Sequence, residues 1–199
     1  MTSLNTMKKV PGLAEDRTYR VFDASEVEGG GRLLFTREAG RAFRGLLEAA
    51  IEDLPTGGIL FVDTRGVEMM DYSFADEAIG SVVSRAARGD YGPRHVVLLE
   101  NERDLLENVG MSLWVRQETA LRVEEIGGEA HVVGNLEEHL RETLDVIRAA
   151  GPITTAELAA RLKLNQTACN NRATNLLERG LIKRRKETGG RRFVYEKVV

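Results

Sequence analysis

Residues 165 to 180 read Asn-Gln-Thr-Ala-Cys-Asn-Asn-Arg-Ala-Thr-Asn-Leu-Leu-Glu-Arg-Gly, and the chain then runs into Lys183, Arg184, Arg185, Lys186, Arg191 and Arg192. At about 100° per residue, Cys169, Ala173, Leu176 and Leu177 form one apolar stripe of a helix. The opposite face carries Thr167, Asn171, Thr174, Asn175 and Glu178, flanked by Asn170 and Arg172. Asparagine is a poor helix former, so propensity does not explain three of them here. Asn and Gln side chains do pair bidentately with adenine in the major groove. Clustered Lys and Arg neutralise phosphates, the main source of affinity for a duplex. The alternative is a solvated polar face. Cys169 lies on the buried stripe and is read as core rather than as a redox group.

The flanking elements position this helix. Leu140, Leu144, Val146 and Ile147 give residues 136 to 150 a near-helical period, which Gly151-Pro152 stops. Thr154-Thr155-Ala156-Glu157 fits a capping box, opening a helix that ends near Leu162. Lys163-Leu164 makes a turn, and Asn165 caps the polar helix. Gly180 ends it, Leu181 and Ile182 begin a strand, and Glu187-Thr188-Gly189-Gly190 turns the chain into a second strand over residues 191 to 198. Helix, capped helix, polar helix and basic hairpin in this order resemble the winged helix-turn-helix of bacterial transcription regulators. The resemblance implies that Gln166, Thr167, Asn170 and Asn171 face bases, that Arg172 and Asn175 lie nearer the backbone, and that the hairpin with Lys183, Arg184, Arg185, Lys186, Arg191 and Arg192 is the wing. Glu178 would repel phosphate if it sat too close.

Charge divides the chain in the same way. Residues 135 to 199 carry 13 Lys or Arg against 8 Asp or Glu, a net +5, whereas residues 1 to 134 carry 15 against 23, a net −8. A basic module suited to a polyanion and an acidic one that avoids it are the expectation. The domains are therefore a tail at 1–17, an α/β domain at 18–134 and the winged helix at 135–199. No run approaches the roughly 18 apolar residues of a membrane span. Lys8 and Lys9 have no apolar run behind them, so a cytoplasmic protein is expected. One cysteine and three scattered histidines give no internal disulfide and no metal-ligand spacing, and no cofactor is expected.

The first half alternates strands and helices. Tyr19 to Ala24 and Arg32 to Phe35 are strand candidates around a turn at Glu28 to Gly31. Thr36 caps a helix with Phe43, Leu46, Leu47, Ala50, Ile51 and Leu54 at helical spacing. Ile59-Leu60-Phe61-Val62-Asp63 is a strand buried on both faces, and His95 to Leu99 is a second. Helices are expected over residues 73 to 88 and 102 to 117, and a hairpin around Gly127-Gly128. Trp114 is expected to pack inside. An α/β sandwich with a mixed sheet follows.

The stretch from Leu60 to Glu77, with Asp63-Thr64-Arg65-Gly66-Val67 after a strand and Asp71-Tyr72-Ser73-Phe74-Ala75-Asp76-Glu77 opening a helix, resembles the STAS-like family related to anti-sigma-factor antagonists. In the antagonists a serine just after the aspartate is phosphorylated by a partner kinase. Tyr72 holds that position here. Ser73 follows, and Ser73 to Asp76 also fits a capping arrangement. Asp71, Tyr72 and Ser73 are thus a candidate regulatory or partner site.

Asp63, Asp71, Asp76 and Glu77 could gather at the carboxyl end of the sheet, where α/β folds bind ligands. No histidine, nucleophile pair or phosphate-binding glycine loop accompanies them, so no catalytic residue is assigned and a non-enzyme is expected. The leading reading is a sequence-specific DNA-binding regulator, dimeric on a two-fold operator, with a STAS-like sensing or protein-interaction domain. A partner-switching adaptor that binds a kinase-like or anti-sigma protein is the alternative. A metal-dependent enzyme using the acidic cluster is the third.

Overall fold

The computed structural model of the chain describes residues 19–27, 31–101, 103–186 and 192–199. The Glu28 to Gly30 part of the first expected turn, the tail, the hairpin turn at 187–190 and Arg191 lie outside these residues. Two compact units separate after Asn135, with Val199 grouped with the first.

In the first unit, strand β1 (Tyr19–Asp23) ends in a 3-10 turn at Ala24–Glu26 and is followed by β2 (Leu33–Leu34) and α1 (Arg37–Glu52). Then come β3 (Ile59–Asp63), β4 (Met69–Met70), and α2 (Tyr72–Ala75) running through a π-helical segment at Asp76–Gly80 into α3 (Ser81–Ala87). Strand β5 (His95–Leu99), α4 (Arg103–Val115), β6 (Thr119–Val123) and β7 (His131–Gly134) complete it. The sheet order is β1-β3-β5-β6-β7, parallel except for β7. Each crossover steps one strand in the same direction, and right-handed connections therefore place α1, α2–α3 and α4 on one face. Phe22, Leu60, Val62 and Leu98 meet Phe43, Leu47, Phe74, Val82 and Leu113 there.

Thr36 caps α1 as expected, accepting from the Ala39 N–H at 3.3 Å. The expected strand at 32–35 is a two-residue bridge that pairs in parallel with β4, Leu33 opposite Met69. Ser73 is not the cap of the next helix. Asp71 is, because its carboxylate reaches the Phe74 N–H at 2.7 Å and the Thr36 N–H at 3.1 Å, leaving Ser73 inside the first turn. Trp114 is not packed inside either: it is 57% exposed and forms an outward row on α4 with Met111 and Val115, while Leu105, Val109 and Leu113 take the inner face.

The π segment follows from its neighbours. Glycines at Gly40 and Gly80 admit α1 and α4 unusually closely: a Cβ at Gly40 would lie 3.0 Å from the Phe74 carbonyl oxygen, and one at Gly80 would collide with Ser112 Oγ and lie 2.9 Å from Arg116 Nε. The Ser81 N–H bonds the Asp76 carbonyl across five residues, and Arg116 braces that carbonyl at 3.2 Å and the Asp76 carboxylate at 2.6 Å. Burial pushes the Asp76 carboxyl upward. The Arg116 hydrogen bond and charge, with Ser112 and Arg37, outweigh it and hold the group below the usual carboxylate range. Glu77 is likewise raised by burial and lowered more by Arg37, Arg44 and Arg41.

Two outcomes follow. Gly80→Ala, a change that stabilises an ordinary exposed helix by about 1 kcal/mol, is expected here to destabilise by roughly 1 to 3 kcal/mol in chemical denaturation, because the new methyl overpacks the α4 contact. Depressed native pKa values mean that Asp76 and Glu77 stabilise the fold above the ordinary carboxylate pKa of about 4 and lose that contribution as pH falls further. Asp76→Asn with Glu77→Gln should flatten the acid limb of a stability–pH curve below about pH 4.

Candidate nucleic-acid interface

The second unit comprises α5 (Glu138–Ala150), β8 (Ile153–Thr154), α6 (Thr155–Leu162), α7 (Gln166–Glu178), β9 (Ile182–Lys186) and β10 (Phe193–Lys197). Strand β10 lies between β8 and β9, antiparallel to both. Its local code is written in caps. Thr154 and Glu157 form the expected capping box, and Asn165 caps α7 by accepting from the Ala168 N–H at 2.8 Å. Between the two helices Lys163 takes a left-handed conformation at φ 55°, which makes the turn tight without a glycine. At the far end Gly180, at φ 70°, donates its N–H to the Leu177 carbonyl, and Leu181 donates to that of Leu176. This paired closure ends α7 abruptly and aims the chain straight into β9.

Cys169, Ala173 and Leu176 are buried, and Leu177 partly so. Burial pushes the Cys169 thiol up, away from the reactive thiolate, as a packing role requires. Gln166, Thr167, Asn170 and Asn171 are all exposed on the first turns of α7. Arg172 and Asn175 are half-buried and engaged within the unit. Arg172 Nη1 donates to the His139 carbonyl at 3.2 Å and approaches Glu142 and Thr143 at 3.4 Å, tying α7 to α5. Asn175 accepts from Arg179 Nε at 2.8 Å. Arg172 thus ties α7 to α5, while Asn175 pairs within its own helix. Glu178 is exposed at the end of α7 remote from Gln166.

The ribbon cations do not share one surface. Alternation along a strand sends Arg184 and Lys186 to one side and Lys183 and Arg185 to the other. Register sets Tyr195 opposite Arg184 and Phe193 opposite Lys186, on the first side. The Tyr195 hydroxyl donates to Asn170 Oδ1 at 3.3 Å, so this side is continuous with the exposed start of α7. On the other side Arg185 Nε meets Glu196 at 3.1 Å. Arg185 and Arg192 there line a shallow concavity with Thr154 and Glu157.

The acidic residues of the first unit are not gathered. Asp63 holds its own neighbour Arg65 in a two-point contact at 2.9 and 2.6 Å, Asp71 caps α2, and Asp76 and Glu77 sit among Arg37, Arg44 and Arg116. No group of three or more potential metal ligands occurs among the described residues. Tyr72 and Ser73 are half-buried beside the Asp71 cap. The arginine partners of Asp76 and Glu77 were missed by sequence reasoning; the recurrence of Arg37, Arg41 and Arg44 on one side of α1 is the signal that could have found them.

Among the described residues no helix is long and apolar enough to cross a membrane. A family model described as the MarR family matches residues 142–192, from within α5 to the residue before β10. No curated protein matches the chain. The second unit is a winged helix-turn-helix of the kind that family uses, with α6 and α7 as the helix pair and β9–β10 as the wing. Removing the α7 cap with Asn165→Ala is expected to cost about 1 kcal/mol of stability in thermal or chemical unfolding.

Proposed function

We propose that the chain is a cytoplasmic, sequence-specific DNA-binding transcriptional regulator. The observation that carries this reading is the exposed start of α7, where Gln166, Thr167, Asn170 and Asn171 stand free of the unit's core at the side to which the wing is joined by Tyr195. Inserted in a major groove, these amides and the hydroxyl meet base edges, while wing cations meet the flanking backbone. Arg172, which also ties the helix to α5, and Asn175 lie nearer the flanking backbone.

A single winged module covers modest surface, and two copies on a two-fold operator double it. The buried side of α5 is already occupied within its own unit by Leu140, Leu144 and Ile147, and its outer side carries Glu138, Glu142 and Asp145. Self-association thus falls to the first unit, which we read as the STAS-like sensing domain. Its Asp71-Tyr72-Ser73 segment lies next to the exposed apolar pair Leu33 and Met69, an observation that also favours an adaptor docking a kinase-like or anti-sigma protein there. The metal-enzyme reading loses its ligand set to the internal arginines.

Selection of bound fragments from random duplex DNA tests the regulator reading directly. The full chain should enrich one defined motif, and Asn171→Ala should lose preference at one base position by roughly 1 to 3 kcal/mol. An adaptor would enrich nothing and would retain a protein partner without nucleic acid.

A further inference from the structure

Phe193 is 47% accessible, whereas the other apolar residues of the two strands, Ile182, Val194 and Tyr195, are buried. The guanidinium of Arg184 lies over the Phe193 ring, 4.9 Å from its centroid. Both residues are on the side of the ribbon that Tyr195 joins to Asn170 on α7. Arg185, one residue along, points to the opposite side and is balanced there by Glu196 at 3.1 Å.

From this we infer that Phe193 is a positioning residue for duplex DNA binding: its ring holds the Arg184 guanidinium extended beside α7, so that Arg184 is a DNA-contacting cation of the wing and Arg185 is not. The inference rests on the DNA-binding reading above and adds to it a division of labour within the ribbon. A long arginine side chain loses much rotational freedom when it settles on a phosphate or in a narrow groove. A guanidinium already stacked on an aromatic face has lost part of that freedom beforehand, and the planar ion keeps its N–H edges free for hydrogen bonding while its flat side is occupied. Lysine at 184 would keep the charge and lose this geometry. Arg185 carries the same charge as Arg184. Its neutralising carboxylate and its direction, toward the side where Thr154 and Glu157 lie, remove it from the surface shared with α7.

The test is a fluorescence-anisotropy titration of the full chain on a labelled mixed-sequence DNA duplex, repeated over a series of salt concentrations, with variants Arg184→Ala, Arg185→Ala, Phe193→Leu and Phe193→Tyr. Arg184→Ala should weaken binding and make the log–log salt dependence shallower by about 0.9, the release expected for one phosphate contact. Phe193→Leu keeps the charge and most of the apolar bulk and removes the π face; it should weaken binding about threefold while the slope stays near that of the unmodified chain. Phe193→Tyr, which restores an aromatic ring, should bind as the unmodified chain does. Arg185→Ala should leave affinity and slope within about a quarter of the Arg184→Ala effect. The inference is overturned if Arg185→Ala costs as much as Arg184→Ala, or if Phe193→Leu binds normally while Arg184→Ala does not. Should the unmodified chain itself show no salt-dependent binding, the DNA-binding reading fails first and takes this inference with it, a result separate from any pattern among the variants. Far-UV circular dichroism melts of each variant ensure that only folded protein is compared.

Discussion

The second unit depends on one constraint: α7 must be anchored by a narrow stripe of small side chains while its other faces stay polar. Cys169, Ala173 and Leu176 are its fully buried residues, and α7 packs on α5 and α6. Orientation is then fixed by polar contacts at the margins. Arg172 reaches back to the His139 carbonyl, and Tyr195 reaches across from β10 to Asn170. Asn165 and Gly180 set where the helix starts and stops. The result is a helix held from behind with its first turns presented outward, and the wing begins two residues after the closing glycine.

The first unit uses the same economy in a different form. Its parallel strands bury apolar residues against helices on one face, and Gly40 and Gly80 leave room for tight helix contacts. Where α1 and α4 press on the π segment, Asp76 and Glu77 would be costly if left alone in a partly buried place. Arg37, Arg44 and Arg116 answer them with contacts between 2.6 and 3.2 Å. A bulged helix is often associated with function. Here its carboxylates are braced from both sides, and what the arrangement achieves directly is the docking of two helices.

The parts of this structure readable from the chain are those encoded locally. The Thr154–Glu157 capping box, the Asn165 and Thr36 caps and the Gly180 stop depend on residues within a few positions of one another, and each is formed as its residue types require. Helical periodicity set Thr167, Asn170 and Asn171 away from the apolar stripe, and all three are exposed. What escaped depends on distant partners. Asp76 and Glu77 looked like a ligand cluster because the arginines that meet them are 33 to 40 positions away. Ser73 looked like a cap because a serine three residues before an acid is the usual signature, whereas Asp71 is nearer and also serves Thr36 across the fold. The sidedness of the ribbon needed the β9–β10 register, and a run of consecutive cations has no apolar alternation from which to infer it. The contact of Arg172 with the His139 carbonyl, 33 positions away, has no local signal in the sequence.

DNA binding by this chain requires a single footprint formed by the start of α7 and one side of the wing. Backbone amide chemical-shift perturbation in the isotopically labelled full chain, on adding a selected duplex, measures that footprint residue by residue. The largest changes are expected at Gln166, Thr167, Asn170 and Asn171 together with Arg184 and Lys186. Changes centred instead on Thr154, Glu157 and Arg192, or confined to residues 19–135, would contradict that footprint.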